Sequence, residues 1–294
     1  MENRIWLPNI QVRNGSLLYY ETPDPAFNHK RHELSRYKTY TGIVTDHTVK
    51  RISRSVDVLL QKSKKRYIQN IAWSDKVPFR LSFMTLTISQ SKEVDAQEGH
   101  KALKVFLDHF RQKPAKKAIS EQIKSYIWKA ELQQRGQLHY HITSNTFMHY
   151  AEVNRVWNGI QYRRGWLDEY KSAHGHTNAP STEIRAVYKS KNIGGELVKY
   201  LSKTGKKDMS EYGFPETIFE PHINGKVWDC SNDLKMARFT DEMDTATRLR
   251  IEDGIRKGDI KHLRQPRCSV FCTERPAAFL SKDVLDLYRK WQLL

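Results

Sequence analysis

Between Ser125 and Ser144 the residue types alternate with a period of two on both sides of a polar turn, Gln133-Gln134-Arg135-Gly136. Alternate side chains point to opposite faces only in an extended strand, so this pattern demands a β-hairpin with glycine in its loop. Closure over Leu132 to Leu138, centred on Arg135, sets Glu131 across from His139 and Lys129 across from His141. One face then carries Tyr126, Trp128, Ala130, Leu138, Tyr140 and Ile142, an almost wholly apolar set suited to packing on helices. The other face gathers Glu131, His139 and His141. A slip of one residue would exchange the two faces, so the apolar set selects the register independently of the polar one.

The elements around the hairpin extend the constraint. Phe79 to Ile88 is rich in β-branched and aromatic residues and predicts a buried strand. His100 to Gln112 has an apolar stripe at helical spacing, with Pro114 beyond it. After the hairpin, Tyr150 to about Tyr170 predicts a helix, Gly175 to Pro180 a loop and Thr182 to Tyr188 a strand. Asn192 to Thr204 predicts a further helix with Gly205 as its cap. The first six elements follow the split βαβ, ferredoxin-like order of an α+β domain. Its central antiparallel sheet has helices on one face and the other face open to a ligand. This core is expected over residues 76–206. A basic N-terminal extension, 1–75, holds a helix within Val44 to Ile68, and a C-terminal extension, 207–294, packs on the core. In that extension, strands are expected at Val227 to Trp228 and Phe271 to Cys272, and helices around Ala237 to Arg256 and Lys282 to Leu293.

Charge narrows the partners. The chain has 294 residues, 50 Lys and Arg against 33 Asp and Glu, and a formal charge of +17, which favours a polyanion, nucleic acid before membrane. No apolar run is long enough to cross a bilayer, and Met1 to Trp6 lacks the apolar centre of a signal peptide, so no membrane partner is expected. Three cysteines make no disulfide framework and suit a reducing cytoplasm. Cys268 and Cys272 lack the second pair of a zinc site and are read as free thiols. On the N-terminal helix the basic face either meets DNA phosphates or is simply solvated.

Two imidazoles and a carboxylate leave positions open on a divalent ion for a phosphate oxygen and water. This nitrogen and oxygen set, without cysteine, suits Mg²⁺ or Mn²⁺ better than structural zinc. On the helix from Asn192, Ile193, Leu197 and Leu201 recur at four-residue steps as the buried stripe, whereas Glu196, Lys199, Tyr200 and Lys203 share the other side. A phenol is a poor nucleophile at neutral pH and needs cationic help, which Lys203 one turn on can supply. Glu196 is either a helix partner for Lys199 or Lys203, or a general base directing water. Lys129, Arg135, Lys199, Lys206 and Lys207 are the cations expected to meet DNA.

Glu131 with His139-Tyr140-His141 resembles the metal motif of HUH endonucleases, and Tyr200-Leu201-Ser202-Lys203 resembles their YxxK nucleophile motif. Phe83-Met84-Thr85-Leu86-Thr87 is similar to the FLTLT-type first motif of rolling-circle replication initiators. The resemblance implies a Rep protein that nicks one strand of single-stranded or hairpin origin DNA, keeps the 5′ phosphate on Tyr200 and leaves a 3′ hydroxyl for polymerase. It implies the ferredoxin-like fold and a Mg²⁺ or Mn²⁺ ion. Glu196 stands where two-tyrosine initiators carry a second tyrosine, and it resembles the glutamate of single-tyrosine plasmid initiators. No GxxxxGK[ST] loop occurs, so a separate helicase is implied, together with a plasmid or phage in a bacterial cytoplasm, or the nucleus for a eukaryotic replicon. A transposase or relaxase of the same superfamily, or a non-catalytic DNA-binding module, would carry much of the same pattern.

Overall fold

Asn14 and Gly15, the latter at φ +76°, reverse the chain between β1 (Trp6–Arg13) and β2 (Ser16–Pro23). Positive φ at glycine is what a tight hairpin turn with the right strand twist requires. The computed structural model describes residues 6–23, 46–64, 66–69, 76–90, 94–112, 120–133, 136–188, 193–202, 223, 225–235, 239–265 and 268–293. It divides the chain into two units, Met1–Lys38 with Met236–Leu294, and Thr39–Lys235. These boundaries differ from those expected at 75/76 and 206/207, because β1 and β2 share a sheet with strands from the far end of the chain.

The larger unit begins with α1 (Asp46–Lys62), which buries Ile52, Val56 and Leu59. It stops short of Ile68 because Ser63 Oγ and the Arg80 guanidinium both donate to the Leu60 carbonyl, taking up an acceptor left free at the helix end. Ile68 belongs instead to β3 (Arg66–Gln69), paired with β4 (Lys76–Phe79). There follow β5 (Leu81–Thr87), α2 (Ala96–Arg111), β6 (Tyr126–Leu132), β7 (Leu138–Ser144), α3 (Tyr150–Tyr162), α4 (Asp168–His174), β8 (Thr182–Val187), α5 (Ile193–Ser202) and β9 (Trp228–Cys230). The single helix expected from Tyr150 to Tyr170 is broken, since Gly165 takes φ +72° and the Trp166 amide turns back to the Gln161 carbonyl.

Five strands of this unit form a sheet in the order β8-β5-β7-β6-β9, antiparallel throughout. In the run strand, helix, strand, strand, helix, strand, the fourth strand therefore neighbours the first, and the third separates the first from the second. Glu131 pairs with His139 and Lys129 with His141, as the alternation predicts. The opposite face is the core: Tyr126, Trp128, Ala130, Leu138, Tyr140 and Ile142 are all buried, with Leu103 and Phe106 of α2 and Val153 and Trp157 of α3. Phe106 and Trp157 meet edge to face at 5.9 Å.

In the smaller unit β10 (Thr240–Glu242), β11 (Lys261–Gln265) and β12 (Cys268–Cys272) join β1 and β2 in the order β10-β1-β2-β12-β11. The helix expected around Ala237 to Arg256 begins later, as α6 (Thr245–Lys257), because Thr240 to Glu242 pair with β1 and Asp244 caps the helix by accepting from the Thr247 amide. With α7 (Lys282–Leu293) this unit encloses its own core around Ile10, Leu17, Phe271 and Val284. Cys230, Cys268 and Cys272 are free thiols.

Gly99 lies where α2 crosses β7. A Cβ there would fall on Leu138 Cδ2 and stand 2.6 Å from the Tyr140 hydroxyl, both on the buried face of the hairpin. Gly99→Ala should therefore destabilise the protein by about 1–3 kcal/mol despite the better helix propensity of alanine. Urea denaturation measures it; a stability equal to or above the parent would show that α2 has room to move.

Candidate functional site

The register carries one row of side chains across the whole larger sheet: Glu183 on β8, Thr85 on β5, His141 on β7, Lys129 on β6 and Trp228 on β9. The next row holds Thr87, His139 and Glu131. Period-two alternation puts both rows on the face opposite the helices α2 and α3. Glu131 Oε2 stands 3.2 Å from His141 Nε2, and the two imidazole rings lie 5.4 Å apart, nearly perpendicular. Thr85 Oγ1 shares a hydrogen bond with His141 Nδ1 at 3.3 Å, and Thr87 Oγ1 one with His139 Nε2 at 2.8 Å. Gln133 Nε2 also reaches His139 Nε2 at 2.8 Å.

Thr87 is itself held from behind. Trp157 Nε1 donates to its carbonyl at 2.8 Å, and its amide donates to the Ser181 carbonyl at 2.8 Å. The Ser181 hydroxyl bonds Asn158 and Gln161, and Asn154 and Asn158 both donate to the Ala179 carbonyl. This buried amide ladder ties α3 and the 179–182 segment to the end of β5 that meets His139. Its polar groups are satisfied by one another, as burial requires.

Lys129 does not face a DNA phosphate. It is only 4% exposed, and its ammonium lies 2.5 Å from Glu131 Oε1. Burial alone would raise the Glu131 carboxyl, but hydrogen bonds from His141 and Lys129 outweigh it and hold the group down at about 2. Burial and the neighbouring His141 push His139 down to about 4, so its imidazole is neutral at pH 7 and keeps a lone pair for an acceptor or ligand role.

Among the described residues no group of three or more His, Cys, Asp or Glu side chains stands arranged around a metal position. The Lys129 ammonium occupies one Glu131 oxygen, and the His139 nitrogen faces Thr87 and Gln133. The donor chemistry nevertheless fits a divalent ion, with two imidazoles, at least one of them neutral, and one ionised carboxylate on a single face.

Cys230 marks how α1 sits on this face. Ser55 Oγ of α1 lies 3.5 Å from Cys230 Sγ, and Arg51 of α1 stacks over Trp228 at 5.5 Å. The helix therefore covers the end of the face away from Glu131. Helix α5 packs along α1, with Leu197 and Leu201 buried. Glu196, Lys199 and Tyr200 belong to α5, but their side chains fall outside the described part of the structure. Arg135, Lys203, Lys206 and Lys207 fall outside the described residues altogether.

Comparison with known families bears on this segment. Residues 81–205 match the model of a replication-associated protein family, that of the ORF2 replication proteins. The match runs from the first residue of β5 to beyond α5 and so takes in both rows of site residues. It is consistent with a replication initiator. No curated protein and no solved structure matches the chain. None of the described helices is long and apolar enough to cross a membrane.

Thr85, Thr87 and Gln133 were not assigned a role from sequence. The two threonines could have been found by continuing the alternation into β5, where Met84 and Leu86 are buried and Thr85 and Thr87 take the opposite face.

Depressed values for both groups give stability a definite pH dependence. His139 resists protonation between its ordinary 6.5 and about 4, so its share of stability is present above pH 6.5 and is lost as pH falls through 4. The share from Glu131 is present above 4.5 and is lost as pH falls towards 2. In an NMR titration of metal-free protein, His139 should show a midpoint near 4; a midpoint at or above 6.5 would contradict the packing described.

Proposed function

We propose that this chain is a single-tyrosine HUH endonuclease that initiates rolling-circle replication by nicking and rejoining one DNA strand at an origin. The observation that carries the proposal is the hairpin register, Glu131 opposite His139 and Lys129 opposite His141, inside the segment that matches a replication-associated family. The strand order supports a ferredoxin-like core of the HUH kind.

In this reading Glu131, His139 and His141 hold Mg²⁺ or Mn²⁺, which when bound polarises the scissile phosphate as a Lewis acid. The Tyr200 oxygen attacks phosphorus and loses its proton. The bond to the 3′ oxygen breaks, and that oxygen takes up a proton to become a free 3′ hydroxyl, while the 5′ phosphate stays on tyrosine. Lys203 offsets the negative charge that develops at phosphorus. Glu196 acts later as general base, taking a proton from the water that releases a phosphotyrosine. Buried Lys129 keeps Glu131 ionised and oriented, and Thr85 and Thr87 orient the imidazoles. The formal charge of +17 supports a single-stranded or hairpin DNA partner, with helicase and polymerase supplied separately.

With Mn²⁺ and a single-stranded origin oligonucleotide, Tyr200→Phe should abolish the covalent adduct on a denaturing gel and leave binding largely intact. An adduct formed by Tyr200→Phe would overturn the assignment. Glu196→Ala should still form the adduct but accumulate it; normal release would leave Glu196 as a helix partner only.

A further inference from the structure

Outside the site, the described surface of the larger unit carries one aromatic cluster with cations beside it. Tyr170 and His174 lie one turn apart on α4, and Gly175 at φ +75° turns the chain so that His176 returns beside them. Their rings form a triangle with centroid separations of 4.3, 5.6 and 6.2 Å. Both histidines are exposed, as is Lys171, whose ammonium stands 5.1 Å over the ring of exposed Tyr162. Arg163 is exposed between these groups in sequence.

Aromatic rings turned to water contribute nothing to a core. The cluster is nevertheless fixed in place: the Tyr170 hydroxyl donates to the Asn178 carbonyl, and His176 Nδ1 accepts from the Asn178 amide. Three residues further on, the Ser181 carbonyl accepts from the Thr87 amide, beside the Thr87 hydroxyl that meets His139. The rings are thus tied through one short segment to the end of the sheet where the site lies.

We propose that Tyr170, His174 and His176 form a stacking surface for unpaired bases of single-stranded DNA next to the cleavage site. Exposed rings offer flat faces to bases of any sequence, and Lys171 and Arg163 supply charge for the phosphates that connect them. Paired bases in a duplex stack on each other and have no free face to offer. The surface is therefore selective for single strands without reading sequence. This inference rests on the nuclease reading above and names the part of the substrate that this surface receives.

The test uses the full chain in EDTA, so that no strand is cut, and a fluorescein-labelled oligothymidylate of about thirty nucleotides, long enough to span several stacking positions. By fluorescence anisotropy the combined variant Tyr170→Ala, His174→Ala, His176→Ala should weaken binding about tenfold or more. Binding to a duplex of equal length should not change. Tyr170→Phe with His174→Phe, which keeps the rings, should keep single-strand affinity. In a second measurement, oligonucleotides carrying 5-iodouracil should photocrosslink to Tyr170, His174 or His176. Unchanged single-strand affinity, an equal loss on duplex, or crosslinks confined to other residues would overturn the stacking surface and leave the nuclease reading standing. Failure of the parent chain to bind the single strand at all would overturn both.

Discussion

The pairing of Glu131 with His139 across the β6–β7 hairpin is the constraint on which the rest of the larger unit turns. It is fixed from the opposite face, where Trp128, Tyr140 and Ile142 enter the core, so the polar arrangement is a by-product of apolar packing. Because the hairpin supplies two of the five strands, that register also decides which residues of β5, β8 and β9 come alongside. Thr85 and Thr87 meet the histidines, and Trp228 flanks Lys129, for no reason other than this alignment.

Electrostatics and packing then work on the same groups. An ammonium as buried as that of Lys129 is costly unless paired, and Glu131 is the carboxylate within reach. The pair holds the carboxylate ionised and limits its rotation. From the other side, Trp157 and the amide ladder of Asn154, Asn158 and Gln161 fix the end of β5. The site side chains are thereby set by strands and by a buried hydrogen-bond network, which hold geometry more closely than loops do.

Much of this was legible in the residues. Alternation in β6 and β7 sufficed for the register, and helical spacing sufficed for α2 and for the buried stripe of α5, since both patterns report directly on which face is apolar. Three things were less accessible. The ends of α1 and α3 depend on Arg80 reaching Leu60 and on the backbone of Gly165, which periodicity does not encode. The threonines needed the β5–β7 pairing, a contact between distant segments. The β1–β2 hairpin did carry a local signal, Asn14-Gly15 between alternating residues, which Pro8, Pro23 and the basic run after them obscured. Its pairing with β10 and β12 had none.

That last pairing has a consequence for how the molecule comes into being. Thr240 on β10 hydrogen-bonds Gln11 on β1 across 229 residues of chain, and everything that builds the larger unit lies between them. A ribosome releases the chain in order, so the strands and helices of the larger unit are all available before β1 can meet its outer partner. Until then β1 and β2 are a lone hairpin, too small to be stable in water. Closing the smaller sheet is the last long-range event of synthesis, and it joins two distant stretches of chain after the unit between them has had time to fold.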